Sequence, residues 1–184
     1  MSDQEYSYEL KITKDRIAVL IGTKGETKKD LESATGCKIE IDSKEGDVVL
    51  SGKDAINLFA LREVVKAIAR GFNPDLAKQL LKQDYILDVI SLNDYSREKS
   101  HQQRLKGRVI GMDGKSRHTI EELTECYISV YGKTISVIGK IEMVGICKRA
   151  LETLLAGSPH ANVYKWLERQ RRLMRKKGLE EEGF

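Results

Sequence analysis

Aromatic residues make up only 6% of this sequence, with a single tryptophan, so broad stacking on aromatic platforms is not its obvious way of holding a ligand. Cysteine is scarce as well. Cys37, Cys126 and Cys147 are odd in number and form no Cys-x-x-Cys pair, which argues against a disulfide framework and a zinc site. They read as buried thiols in a reducing compartment. No apolar run approaches the roughly 18 residues of a membrane span. The opening Met-Ser-Asp-Gln-Glu lacks the basic and apolar pattern of a signal peptide. The expectation is a cytoplasmic protein with no membrane partner. No Ser-His-Asp or Cys-His arrangement stands out, and Gly-Thr-Lys-Gly-Glu-Thr is not the Gly-x4-Gly-Lys-Ser/Thr of a Walker A loop. The chain reads as a non-enzyme with no cofactor and no metal.

What is present is charge and a repeat. The 184 residues are 40% hydrophobic and 33% charged, enough for a soluble chain with a real core, as one large domain or two small ones. A formal net charge of +4 permits nucleic-acid binding without arguing for it, so the distribution of cations decides. Ile21-Gly22-Thr23-Lys24-Gly25 recurs as Ile110-Gly111-Met112-Asp113-Gly114. At the same offset Leu31 falls on Ile120, Cys37 on Cys126, Ile39 on Ile128 and Ile41 on Val130. After a hairpin two residues shorter in the second copy, Gly52-Lys53 falls on Gly139-Lys140.

Each copy reads as β-α-α-β-β-α. Tyr6, Tyr8, Leu10 and Ile12 alternate with polar residues, as in a half-buried strand. A short helix over Asp15 to Ile21 ends at Gly22, and a second runs from near Gly25 to Gly36. Two β-branched runs, Lys38 to Asp42 and Asp47 to Leu50, precede a long helix from about Lys53 to Arg70. Its Ile56, Phe59, Ala60, Val64 and Ile68 are expected on the buried face. The second copy uses Tyr85 to Leu92, Arg104 to Ile110, Gly114 to Glu125, Tyr127 to Tyr131, Thr134 to Ile138 and Ile141 to Ala156. Asn73-Pro74 supplies a good helix cap followed by proline at the first helical position, so Pro74 to Lys82 is expected to form a connecting helix packed on both domains. Ile12 to Gly22 spans ten positions but Ile90 to Gly111 spans twenty-one. The second copy therefore carries an insertion, roughly Asn93 to Leu105, read as a solvated loop slightly ahead of a basic contact surface. The fold class is α+β: domain 1 over residues 1–72, a linker helix over 73–84, domain 2 over 85–158, and a basic C-terminal helix and acidic tail over 159–184.

A lone Gly-x-x-Gly is a weak motif. Here it lies between two helices in both repeats. Glycine lets a phosphate backbone approach the main chain, and free N–H groups with the positive dipole end at the following helix favour phosphate oxygens. At this point the chain resembles the K-homology (KH) family of type I, whose groove holds about four unpaired nucleotides. The second half is similar to the ribosome-assembly branch related to the partner of the Nob-one endonuclease, the Krr-one and Dim-two rRNA-processing proteins, in a compact archaeal form. The residues that carry this are Gly111-Met112-Asp113-Gly114-Lys115-Ser116, Ile120-Glu121-Glu122-Leu123-Thr124, Lys133 to Gly139, and Leu154-Leu155-Ala156-Gly157-Ser158-Pro159 running on to Val163-Tyr164. The resemblance implies a factor that binds single-stranded small-subunit (16S) ribosomal RNA near its 3′ end during maturation. Its partners would be the pre-ribosomal small subunit, a Nob-one-like endonuclease or a translation factor. The rivals are a general KH protein of RNA decay or transcription, and a KH scaffold that docks proteins.

The residues expected at RNA are Gly22, Thr23, Lys24, Gly25 and Lys28 in the first copy, with Lys29 close by. In the second they are Arg108, Gly111, Met112, Asp113, Gly114, Lys115 and Arg117. Asp113 would repel a phosphate if it pointed inward. Further candidates are Arg97, Lys99 and Arg104 in the insertion and Arg169 and Arg172 in the last helix, read as Ala161 to Lys177 and rich in Lys165, Arg171, Arg175, Lys176 and Lys177. Trp166, Leu167 and Leu173 would anchor that helix, unless Tyr164 and Trp166 stack on bases. Ile21, Ile39, Ile110 and Ile128 are groove-floor candidates set against plain core. His101 and His118 read more readily as surface residues. Glu180-Glu181-Glu182 reads as a disordered end.

Overall fold

The structure, a computed structural model, describes residues 5–181, with side chains through residue 176. The chain forms two compact units that divide between Leu87 and Asp88. The first contains β1 (Tyr6–Lys11), α1 (Lys14–Ile21), a 3-10 turn (Thr23–Gly25), α2 (Glu26–Thr35), β2 (Lys38–Asp42), β3 (Asp47–Gly52) and α3 (Ala55–Ala69). Then come α4 (Pro74–Ala77) and a 3-10 turn (Lys78–Leu81). The division falls inside β4 (Tyr85–Ser91). The second unit continues with α5 (Lys99–Ile110), a 3-10 turn (Met112–Gly114), α6 (Lys115–Thr124), β5 (Tyr127–Tyr131), β6 (Thr134–Lys140), α7 (Ile141–Leu155) and α8 (His160–Glu181).

Both sheets have three strands, in the orders β1-β3-β2 and β4-β6-β5. The two helices between the first and second strand carry the chain across the sheet, and the third strand then enters between them. Val48 of β3 lies opposite Leu10 on one side and Ile41 on the other, and Leu50 lies opposite Tyr8 and Ile39. In the second sheet Ile128 faces Val137 and Val130 faces Ile135. Helices cover one face of each sheet. Leu20, Leu31, Ile39, Leu50, Leu58, Leu61 and Ile68 are fully buried in the first unit; Ile120, Ile135, Ile138 and Leu151 are fully buried in the second. Removing such a side chain to alanine typically costs about 2–5 kcal/mol.

Local chemistry sets the element ends. Asp54 accepts from the Ile56 and Asn57 amides at the start of α3, and Asn73 accepts from the Leu76 amide at the start of α4. Gly36 closes α2 with φ 67°, while the Thr35 hydroxyl donates to the Leu31 carbonyl. Thr124 repeats this bond to Ile120.

Three expectations change. On α3, Val64 and Ile68 are buried as expected, but Ile56 is 77% and Phe59 49% exposed. Most of the helix's residues are apolar, so periodicity admitted more than one stripe; the inward positions are Leu58, Leu61, Val64, Val65, Ala67 and Ile68. The insertion is largely helix rather than loop, since α5 begins at Lys99. Its inward positions are Gln102, Leu105 and Val109, and the glutamine hid the apolar spacing; Gln102 Nε2 donates to Asn93 Oδ1 (3.0 Å) and the Ser96 carbonyl (2.7 Å). The linker is one turn of α-helix followed by a 3-10 turn, both packed on α3. At the other end, α8 is described through Glu181 and therefore includes Glu180 and Glu181; their side chains, that of Lys177, and all of Glu182 lie outside the described residues.

Candidate nucleic-acid interface

The two Gly-x-x-Gly loops have nearly identical backbones. Gly22 sits at φ 72°, ψ 179°, and Gly111 at 73°, 177°, a region open in practice only to glycine. Lys24 (54°, 25°) and Asp113 (53°, 28°) are left-handed, as are Gly25 (78°, 16°) and Gly114 (75°, 7°). Aspartate tolerates that conformation better than lysine, which gives Asp113 a conformational reason.

The glycines of each pair do different work. A β-carbon on Gly22 would collide with the Thr27 side chain and stand 2.9 Å from the Thr27 nitrogen. One on Gly111 would stand 2.6 Å from Ser116 Cβ and 2.7 Å from its nitrogen. The first glycine thus lets the following helix pack back against the loop. Gly25 and Gly114 have nothing within 4 Å of an added β-carbon, so the second glycine faces open space where a ligand backbone can approach. Neither α2 nor α6 has a side-chain cap at its N-terminus, which leaves first-turn amides for an anion.

Around the first loop, Thr23, Lys24 and Lys29 are exposed and Lys28 is half-buried. Around the second, Met112 is 75% exposed, and Asp113, Lys115 and Arg117 are exposed. A device that sequence reading missed recurs in both units. Glu32 Oε1 accepts from the Ile39 amide (2.8 Å) and lies 4.0 Å from Lys28 Nζ. Glu121 Oε1 accepts from the Ile128 amide (2.7 Å), and its Oε2 lies 3.9 Å from Arg117 Nε. Each glutamate ties its helix to the sheet's outer strand and holds a loop-proximal cation one turn away. The signal was available, because Lys28, Glu32 and Ile39 repeat at the same offset as the glycines.

Arg108, expected at phosphate, has two guanidinium nitrogens engaged by backbone carbonyls. Its Nε donates to the Leu154 carbonyl (3.0 Å) and its Nη2 to the Ser158 carbonyl (2.7 Å), closing the end of α7. Arg16 does the same in the first unit, to the carbonyls of Ile68 (2.7 Å) and Phe72 (2.5 Å). Ile39 and Ile128 are buried core, whereas Ile21 is half-buried and Ile110 37% exposed. Arg97, Lys99, His101 and Arg104 are exposed. His118 is exposed and meets Glu122 at 3.3 Å. On α8, Arg169 and Arg172 are exposed, while Val163 and Leu167 are buried. Trp166 lies under the Arg149 guanidinium (5.5 Å), and Tyr164 meets His160 edge-on at 6.0 Å. All three cysteines are buried and free. The hydrogen bond shared with Cys126, and then burial, push the Cys147 thiol well above its ordinary value. Burial raises Cys37. Among the described residues no cluster of His, Cys, Asp or Glu could hold a metal, and no helix is long and apolar enough to cross a membrane.

Residues 86–172 match the family described as eukaryotic type KH-domain (KH-domain type I), and residues 7–70 match the KH domain. A KH domain-containing protein of Methanocaldococcus jannaschii is 47% identical over 182 residues, covering 96% of this chain and 80% of that one. The RNA-binding protein pno1 of Drosophila pseudoobscura pseudoobscura is 32% identical over 113 residues, 60% of this chain; the chain spans about half of it, 48%. Dim2p of Pyrococcus horikoshii, solved in a complex with a/eIF2alpha and rRNA, superposes with a TM-score of 0.86 at 42% identity, covering 91% of this chain and 95% of that one. A protein of Aeropyrum pernix superposes at 0.92 with 35% identity, over 97% of both chains. With its two KH domains and these relatives, the chain belongs to the KH-domain protein family of Pno1 and Dim2.

Proposed function

We propose that this protein binds single-stranded small-subunit (16S) ribosomal RNA in its 3′ region during small-subunit maturation, in the cytoplasm and without catalysing a reaction itself. The observation that carries the reading is the duplicated loop: an unobstructed glycine, Gly25 or Gly114, at the uncapped N-terminus of a ten-residue helix. Gly22 and Gly111 shape the loops. Thr23, Lys24 and Lys28 in one copy, and Met112, Lys115 and Arg117 in the other, flank the path of the RNA backbone. Arg97, Lys99 and Arg104 add a basic margin on the second unit. Glu32 and Glu121 hold the nearby cations against the outer strand, so these cations meet phosphate from fixed positions. The Pyrococcus relative, at 42% identity in complex with rRNA and a/eIF2alpha, supports this reading and also a protein-docking role alongside it. A translation factor or a processing nuclease would be such a partner.

The test is crosslinking in cells followed by sequencing of bound RNA, together with binding to an oligonucleotide of the 16S 3′ end. Enrichment there is expected, and replacement of Thr23 and Lys24 by Asp-Asp, or of Met112 by Asp beside the existing Asp113, should weaken binding without unfolding. A diffuse RNA profile would favour a general RNA-binding role, and unchanged affinity in both variants would defeat the two-loop mechanism.

A further inference from the structure

Helix α8 has two unlike sides. Its inward side, Val163, Leu167, Gln170, Arg171 and Met174, is buried or half-buried, and the helix packs on α6 and α7. The outward side carries Lys165, Arg169, Arg172 and Lys176, all exposed. Their spacing of four, three and four residues keeps them on one face, and at about 1.5 Å rise per residue the row is about 16 Å long. None of the four has a carboxylate partner among the described residues, unlike Lys28, Arg117 and Lys148. Arg172 makes only a long 3.4 Å bond to the Glu168 carbonyl.

Helix α8 also begins near the second loop. His160 Nε2, at the first residue of α8, lies 2.8 Å from the Arg108 carbonyl, three residues before Gly111. From there α8 runs along α6, the helix that the loop opens. A cationic rail and a Gly-x-x-Gly window therefore belong to one unit, on two helices that pack together.

We infer that this rail binds the phosphate ridge of a double-stranded RNA segment adjoining the single strand held at the second loop, so that the unit recognises a single-strand to duplex junction. The inference rests on the RNA-binding reading above. Single-strand sites combine a groove with aromatic faces on which bases stack. The outward face of α8 has neither, because Tyr164 and Trp166 lie off that face, half-buried, with Arg149 over Trp166 and His160 edge-on to Tyr164. A rigid, evenly spaced row suits a backbone that is already regular. A duplex offers that and is read through phosphates and 2′-hydroxyls rather than base edges. A flexible strand would first have to be ordered along the rail. A membrane surface is a poor fit, since Leu173 is the only large apolar side chain exposed on the described part of α8.

The experiment measures affinity against salt concentration for two RNAs: a single-stranded oligonucleotide, and the same oligonucleotide joined to a hairpin stem at either end. The protein is the full chain and its variant carrying Lys165→Ala, Arg169→Ala, Arg172→Ala and Lys176→Ala, with circular dichroism to confirm folding. One stem placement should bind the unaltered protein about tenfold more tightly than the bare strand. The variant should lose that gain, with its salt slope on the stem RNA reduced by about 3, and keep its affinity for the bare strand. A Gly114→Asp protein should show the converse, losing the strand contribution and keeping the stem contribution. Absence of a stem gain in the unaltered protein overturns the duplex inference and leaves the single-strand reading standing. So does equal loss on both RNAs in the variant, which would make the rail a single-strand contact. An α8 variant that binds both RNAs normally also overturns it and points to an acidic protein partner. Failure of the unaltered protein to bind either RNA defeats the underlying reading instead.

Discussion

Alanine at Gly111 and alanine at Gly114 should have opposite consequences although the two glycines are three residues apart. Gly111 lies at φ 73°, ψ 177°, where a non-glycine residue costs about 1–3 kcal/mol. Its β-carbon would also press on Ser116 at 2.6–2.7 Å, through Cβ and backbone nitrogen that cannot swing aside, and such overpacking adds about 1–3 kcal/mol. The sum is about 2–6 kcal/mol. For a unit of roughly a hundred residues each kcal/mol moves Tm by about 4–8 °C, so Gly111→Ala should lower the second unit's melting by about 10 °C or more. Gly114 is left-handed with no neighbour within 4 Å, so alanine there costs only the conformational penalty, about 1–2 kcal/mol. Its new methyl group, however, stands where the RNA backbone would pass. Thermal melts by circular dichroism, with RNA titration well below the transition, separate the two effects. Gly22→Ala and Gly25→Ala repeat the experiment in the first unit, with Thr27 in place of Ser116. Equal stability losses at the two positions, or full RNA affinity in Gly114→Ala, would refute this division of labour.

Removing the Arg108 guanidinium (Arg108→Ala) deletes two charge-assisted bonds worth about 1.5 kcal/mol each, so about 3 kcal/mol of stability should go in urea denaturation. RNA affinity of the remaining folded protein should not change. Asp113→Asn keeps a residue that tolerates the left-handed conformation and removes a negative charge from the loop. If the nearest phosphate lies roughly 7 Å away in water, affinity should rise about threefold, measured by fluorescence anisotropy at low salt, and the gain should shrink as salt increases. The three thiols should resist a thiol-specific reagent in the native protein and react on unfolding, because all are buried. Mass spectrometry before and after denaturation reads this directly.

Much of the architecture was legible in the sequence because one spacing carried it. Gly22, Gly25, Leu31, Cys37 and Ile39 recur at a constant offset, and each specifies something local: a turn, a helix end, a buried strand position. Two β-α-α-β-β-α units follow from that pattern, as do the glycine loops at helix starts. The pattern failed where its own signal was ambiguous. In α3 most residues are apolar, so a stripe through Ile56 and Phe59 read as well as the true one through Leu58 and Leu61. In α5 the inward position Gln102 is polar and is satisfied by Asn93 and Ser96, contacts that only the folded chain supplies.

The roles of single residues divide along the same line. That a glycine pair is present, and that lysines and arginines surround it, is a property of the sequence. That Gly111 serves packing while Gly114 faces open space depends on where Ser116 comes to lie. That Arg108 is a clamp depends on carbonyls 46 and 50 positions away. A helix end leaves backbone acceptors unsatisfied, and which side chain reaches them is settled by how the helices pack. Sequence periodicity records which positions avoid water; tertiary structure decides which polar groups find one another.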